Sequence, residues 1–366
     1  MAMVDKMRVV SLDAGRKYFS LEQLKNIVDM LADNRYTHLH LLVGNDGLRL
    51  ILNDMRLDVA GTVYESEAVQ EAIKVGNVAY YDDPNGNTLT EAEMDELLVY
   101  MAERDIELIP AVNTPGHMDA ILEAMKHLGI EAPNYVYHDP DSGESTVSKR
   151  TVDLKNDRAV AFTKALVELY ATYFEGKVAF FNMGLDEYAN DAIPNWMPGW
   201  KNLQKCGEYA DFVAYTNDLA YLLKQHDLRP IAFNDGLYFD YVSDQGTFDS
   251  NIVIAYWTAG WEDYEVASSH YFSERGHDIL NTNDSWYYVI GREDKESGWY
   301  NLEQGLDGMN KVPFNQVLKD EDEPIPTLGS MIAAWCDDPD VPYIEPHLKH
   351  WLETFAQKNN EQFSDE

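Results

Sequence analysis

The chain has 366 residues, 45% of them hydrophobic, which is enough for two ordinary domains or for one large α/β barrel with long loops. Its 64 acidic residues outnumber 28 basic ones and give a net charge of −36. That balance repels phosphate, so nucleic acid and anionic membrane surfaces are excluded as partners, and neutral or cationic substrates fit better.

The elements alternate along the chain. Arg8–Leu12 reads as a strand, and Ser20 with Gln23 forms a capping box that opens a helix to about Asn34. Thr37–Val43 is the second strand. Residues 44–87 form a long connection rich in Asp, Asn and Gly. Thr90 with Glu93 caps a helix ending near Arg104, and Glu107–Val112 is the third strand, closed by the turn Asn113-Thr114-Pro115-Gly116. A helix follows around Met118–His127, then a second long loop over 133–148. The helix Ala159–Phe174 leads into a fourth strand that runs to Gly184. The helix Tyr209–His226 precedes the strands Arg229–Asn234 and Ile252–Tyr256. A helix near Tyr264–Arg275 leads to the strand Asp278–Asn281. Ser330–Trp335 is the eighth strand and Pro346–Ala356 the last helix.

Strand–helix units require parallel pairing, and eight of them predict a closed (β/α)8 barrel spanning residues 1–366 as one domain. A single glycine in Asp13-Ala14-Gly15-Arg16 is not a dinucleotide loop, which weighs against an open doubly wound sheet. Two cysteines, Cys206 and Cys336, make neither a disulfide framework nor a metal spacing. The ten histidines show no ligand pair on one predicted helix; His38 and His40 alternate on a strand as core residues do. No metal and no cofactor is expected. The first ten residues lack the apolar stretch of a secretion signal, and no run reaches a membrane span. The expectation is a soluble module cut from a longer exported protein.

The most informative stretch is Phe181-Asn182-Met183-Gly184-Leu185-Asp186-Glu187, an apolar strand that ends on adjacent carboxylates. Glycoside hydrolysis needs one group to protonate the leaving oxygen and another to stabilise charge at the anomeric carbon. Neighbours on an extended chain point apart, so Asp186 and Glu187 suit two jobs. One such pair means little among 64 acids. The other strand ends add weight: Arg16 after the first strand, His117 after the third, Asn234-Asp235 after the fifth, Trp257 with Trp261 after the sixth, Trp286-Tyr287 after the seventh, Trp335 and Asp337 after the eighth. Singly these are a surface charge, a core histidine or core indoles. Together they make a pocket of polar groups and aromatic platforms, which fits the hydroxyl edges and apolar faces of a sugar.

These motifs resemble the catalytic barrel of glycoside hydrolase family 20, the exo-acting β-N-acetylhexosaminidases, from about Val9 to Trp351. The resemblance rests on Asp13-Ala14-Gly15-Arg16-Lys17-Tyr18-Phe19, Leu39-His40-Leu41, Asn113-Thr114-Pro115-Gly116-His117, Met183-Gly184-Leu185-Asp186-Glu187, Tyr256-Trp257, Trp286-Tyr287 and Ala334-Trp335-Cys336-Asp337. The modules it looks most like belong to cell-wall-attached enzymes of Gram-positive bacteria, which implies an extracellular or cell-surface setting and a glycan with a terminal N-acetylhexosamine as partner. It also implies substrate-assisted catalysis. Glu187 would be the acid and later the base. Asp186 would orient the 2-acetamido group, and Tyr287 would donate to its oxygen. Trp257 and Trp335 would wall the acetamido pocket, Arg16 and Asp337 would hold the distal hydroxyls, and His117 would support Glu187. An adjacent carboxylate and a Trp-lined site would raise the proton affinity of Glu187.

The chain departs from the family in three places. Val43-Gly44-Asn45-Asp46-Gly47 stands where many members carry the acid behind the histidine, and Asn45 is expected to replace it. Asn234-Asp235-Gly236 stands where many carry a tryptophan, so Trp261 is expected to supply the missing wall. Tyr288 and Val289 follow Tyr287 where an acid often sits. A barrel glycosidase with two protein carboxylates and a non-catalytic glycan-binding barrel are the alternatives. The choice between GlcNAc and GalNAc is open at this stage.

Overall fold

The structure is a computed structural model that describes residues 6–194, 197–261, 264–312 and 325–363. Eight parallel strands form its centre: β1 Met7–Leu12, β2 His38–Asn45, β3 Glu107–Thr114, β4 Phe180–Gly184, β5 Arg229–Phe233, β6 Val253–Tyr256, β7 Ile279–Asn281 and β8 Gly329–Trp335. Each pairs with the next, and β8 returns to β1 with Val9 opposite Met331. The sheet is therefore closed, a (β/α)8 barrel. Closure leaves no barrel strand with an unpaired edge.

Local chemistry sets the helices. Ser20 and Gln23 cap Leu21–Asp33 reciprocally, and Thr90 and Glu93 do the same for Glu91–Ala102, each box contributing about 1 kcal/mol. The helix Asp157–Phe174 buries Phe162, Leu166, Val167, Tyr170 and Phe174 at three- and four-residue spacing, the stripe that packs against a barrel. The helix expected near Tyr264 begins only at Ser269, where Ser268 accepts from the Tyr271 amide and caps it.

Inside the barrel, Val9, Ile109, Ile231, Phe233, Val253, Leu280 and Met331 form one cluster, with Trp257 and Trp335 packed on it. Burying each large apolar side chain contributes roughly 1.5–3 kcal/mol. The interior also holds His40, fully buried between Ser11 (2.7 Å) and Asn182 (2.9 Å). Burial pushes its pKa down to about 3, so it stays neutral.

The two long loops have structure of their own. Residues 44–87 contain the helix Ser66–Tyr80, and the second loop forms a hairpin of Asn134–His138 with Ser145–Val152. Two further helices, Gly199–Cys206 and Leu302–Lys311, lie between the elements read from the sequence.

Candidate active site

A cavity of about 560 Å³ opens among the loops that follow the strands, and both acids, Asp186 and Glu187, line it. The strand does not stay extended to present them. Gly184 (φ 80°), Leu185 (φ 70°) and Glu187 (φ 50°) take left-handed backbone, and this turn aims the two carboxylates. Gly184 is required: a Cβ there would lie 1.8 Å from the Asn113 side-chain oxygen. Asn113 in turn donates its Nδ2 to Asp186 Oδ1 at 2.7 Å.

His117 sits between the acids. Its Nε2 is 3.3 Å from Glu187 Oε2 and 3.6 Å from Asp186 Oδ2, and its Nδ1 is 3.0 Å from Asp46 Oδ1. Burial alone would depress its pKa. The charges of Asp46 and Asp186 and hydrogen bonds to Asp46 and Glu187 outweigh burial and lift it to about 10. The ring is thus an imidazolium that donates from both nitrogens. The two acids respond in opposite directions. Burial raises Asp186, helped by the Glu187 charge and opposed by His117. Burial also pushes Glu187 up, but the hydrogen bond and charge of His117 win and hold it below its ordinary value. The expectation that neighbours would raise Glu187 is corrected here: the raised carboxyl is Asp186, because the cation pairs more closely with Glu187.

Arg16 gathers three acids. Its guanidinium donates to Asp46 (2.7 Å), Asp13 (3.1 Å) and Asp337 (3.3 Å). Burial opposes its charge, but these carboxylates hold it firmly protonated. Asp337, 41% exposed along its side chain, is raised by burial and lowered by Arg16. Arg16 and Asp337 therefore present a donor and an acceptor to the same end of the cavity.

Aromatic groups make the walls. Trp257, Tyr287 and Trp335 line the cavity, with the Tyr287 and Trp335 rings 5.6 Å apart near edge-on and Trp335 6.3 Å from Phe233. The Tyr287 hydroxyl lies 3.3 Å from Thr282 Oγ1, and burial keeps it protonated as a donor.

Two further expectations fail. Asn45 does not support the histidine or reach the cavity. It is buried, donating to Asp13 and accepting from Asn113, and its neighbour Asp46 holds His117. Asp46 has left-handed backbone (φ 56°), which directs its side chain rather than that of Asn45 into the site. Trp261 does not form a wall. It is 56% exposed, stacks on Tyr264 at 4.2 Å and forms a bridge with it. Sequence reasoning also passed over Tyr80, Tyr81, Arg150 and Tyr300, which line the cavity from the connections between the barrel strands. Only the adjacency of Asp46 to Asn45 could have flagged one of the missed groups. The fully buried Asp235, noticed as a strand-end group and as a departure from the family, accepts from the Glu187 amide and the Trp257 indole.

Comparison with known proteins gives the same assignment from independent ground. The family model for the catalytic domain of glycosyl hydrolase family 20 matches residues 6–338. A structure of the catalytic modules of the pneumococcal exo-β-D-N-acetylglucosaminidase StrH is 45% identical, covering 98% of this chain and 85% of that chain, with a TM-score of 0.92. A β-N-acetylhexosaminidase from Bacteroides fragilis is 20% identical over 95% of this chain and 65% of its own (TM-score 0.66), a likeness of fold alone. A β-hexosaminidase of Vibrio furnissii is 25% identical over 234 residues, 61% of this chain. The chain spans about a third of the length of that curated relative, 34%. With the barrel, the strand-end acids and a family match over most of its length, the chain belongs to glycosyl hydrolase family 20, as a catalytic domain of a glycoside hydrolase.

Proposed function

We propose that this domain is a retaining exo-β-N-acetylhexosaminidase that uses the acetamido group of its substrate as nucleophile. The observation that carries the reading is the arrangement of Asp186 and Glu187 on one cavity, with Asp186 raised in proton affinity by burial and Glu187 lowered by the His117 between them. Two acids with opposed environments can take two roles. The cavity volume of about 560 Å³ is in the range of small-ligand pockets and suits one terminal sugar with the start of its aglycone.

In this reading Glu187 protonates the glycosidic oxygen. The acetamido carbonyl oxygen attacks the anomeric carbon as the bond to the leaving oxygen breaks, and an oxazolinium forms. Asp186 accepts the acetamido N–H and balances the growing positive charge, while the Tyr287 hydroxyl donates to the acetamido oxygen. Glu187, now a carboxylate, takes a proton from water as that water attacks the anomeric carbon and reopens the ring. Two displacements at one carbon retain its configuration. Trp257 and Trp335 enclose the acetamido methyl, and Arg16 with Asp337 holds the hydroxyls of the non-reducing end.

The 45% identical relative is an exo-β-D-N-acetylglucosaminidase, which favours GlcNAc over GalNAc. Work on the same pneumococcal protein concerns recognition and hydrolysis of N-glycans by a virulence factor. We therefore place the substrate among glycans with terminal β-linked GlcNAc, met outside the cell. Among the described residues no helix is long and apolar enough to cross a membrane.

The test is Glu187→Gln with an N-acetylglucosaminide that has a poor leaving group, where turnover should fall about 10²–10⁴-fold. A GlcNAc-thiazoline, which resembles the oxazolinium, should inhibit the unmodified enzyme. Near-normal turnover in the variant would remove Glu187 from its role. Failure of the thiazoline to bind would favour a mechanism with two protein carboxylates.

A further inference from the structure

The sequence at the end of β5, Asn234-Asp235-Gly236, departs from the family pattern, and the mechanism above makes no use of it. Asp235 is fully buried and does not line the cavity. Its carboxylate nevertheless touches two groups that do. Oδ2 accepts from the backbone amide of Glu187 at 2.9 Å, and Oδ1 accepts from the indole of Trp257 at 3.0 Å. Oδ2 also accepts from the Trp200 indole (3.1 Å) and the Tyr264 hydroxyl (2.9 Å).

Four donors converge on one carboxylate, which has about four lone-pair sites. Three of them reach Oδ2 and one reaches Oδ1, and they hold the carboxylate in place although burial pushes its pKa up to about 6. The amide it holds belongs to a residue with left-handed backbone, a conformation that persists only where surrounding contacts impose it. Beside it, Asn234 Oδ1 accepts from the Trp257 amide at 2.8 Å, so the end of β5 fixes both the backbone and the ring of that tryptophan.

We propose that Asp235 is a positioning residue that fixes the general acid and the wall of the acetamido pocket relative to each other through one buried carboxylate. The inference rests on the reading of Glu187 and Trp257 given above and adds what aligns them. Substitution should separate its two arms. In Asp235→Asn the amide oxygen must take the Oδ2 place, since it alone can accept from Glu187, Trp200 and Tyr264. The amide nitrogen then faces the Trp257 N–H, donor against donor. In Asp235→Ala both arms are lost.

The experiment measures GlcNAc-thiazoline affinity, and kcat and KM on an alkyl and a 2,4-dinitrophenyl N-acetylglucosaminide, for the unmodified enzyme and both variants. Asp235→Asn should weaken the thiazoline about 10-fold, the effect of a buried donor left unpaired. Asp235→Ala should lose about 100-fold in kcat on the alkyl glycoside, which depends on the acid, and about 10-fold or less on the dinitrophenyl one. Equal losses on both substrates that track the folded fraction, or no loss, would overturn the proposal. If neither variant folds, hydrogen exchange at the Glu187 amide of the unmodified enzyme decides: slow exchange supports the bond to Asp235, and exchange as fast as in an open loop overturns it. An unmodified enzyme that cleaves the GlcNAc glycosides and a Glu187→Gln variant that does not would keep the functional reading intact whichever way Asp235 falls.

Discussion

Asp46→Asn isolates the network that charges His117. The side chain keeps its shape, and asparagine tolerates the left-handed backbone at this position. It loses the charge that pairs with Arg16 at 2.7 Å and His117 at 3.0 Å. Burial would raise the Asp46 carboxyl, but those two cations hold it well below the usual carboxylate range, so it is ionised throughout the neutral and alkaline window. The titrating partner there is His117, whose pKa rises from an ordinary 6.5 to about 10 on folding. A group raised on folding stabilises fully below its unfolded pKa and loses that contribution as the pH climbs through its folded one. For His117 the contribution is at most about 5 kcal/mol. Breaking one partner of a buried pair costs roughly 3–5 kcal/mol. With an unfolding entropy of about 2 cal/mol/K per residue, each kcal/mol moves the midpoint of this chain by roughly 1.3 °C. The variant should therefore melt about 4–7 °C below the unmodified protein near neutrality. The gap should narrow as the pH approaches the folded value of about 10, because the unmodified protein loses what the variant already lacks. Thermal melts of both proteins at matched ionic strength measure it. A gap that stays constant over that range would refute a charged His117 held by Asp46.

Two further substitutions probe neighbouring parts of the site. Arg16→Lys should raise KM about 10-fold with little change in kcat, because an ammonium cannot reproduce the planar fork that reaches Asp13, Asp46 and Asp337 at once; steady-state kinetics on a chromogenic N-acetylglucosaminide decide, and an unchanged KM would refute it. Gly184→Ala forces a side chain into positive φ and onto Asn113, so it should cost more than about 2 kcal/mol and release the hydrogen bond from Asn113 to Asp186. Thermal melts and residual turnover measure both effects, and a midpoint within about 1 °C of the original would show that the turn is not constrained as described.

The barrel was legible because its strands are short β-branched runs between capped helices, and the caps at Ser20 and Thr90 stand where their spacing put them. The pocket was legible wherever a functional side chain directly follows a strand. Legibility ended where backbone conformation or distant packing decides. Asn45 and Asp46 are adjacent acceptors, and a left-handed φ selects the second. The helix Ser66–Tyr80 was hidden by Gly76 and Asn77, poor helix formers in isolation. Both are explained by tertiary contacts. A Cβ at Gly76 would lie 2.0 Å from Ala120 O, and Asn77 is buried to bond both the amide and the carbonyl of Leu48. That helix ends at Tyr80, which the sequence could not connect to a cavity formed on strands.

For the general acid proposed above, a pKa held below its ordinary value looks misplaced, and the geometry supplies the way out. The proton it needs is next door, on His117 Nε2, 3.3 Å from Glu187 Oε2. In the open cavity the Glu187 side chain is 38% exposed, and water stabilises its charge. A sugar filling the cavity removes that water, and desolvation raises the proton affinity of a carboxylate. The cost of keeping both charges rises at the same moment, so transfer of the proton from His117 to Glu187 becomes favourable when a leaving oxygen is in place to receive it. Asp46 remains ionised on the far side of the ring, so the proton that Glu187 takes from the attacking water can pass back to the imidazole as Glu187 returns to carboxylate. In the mechanism proposed above, the acid is thus armed by substrate rather than standing protonated in its absence, with His117 placed between two unequal carboxylates.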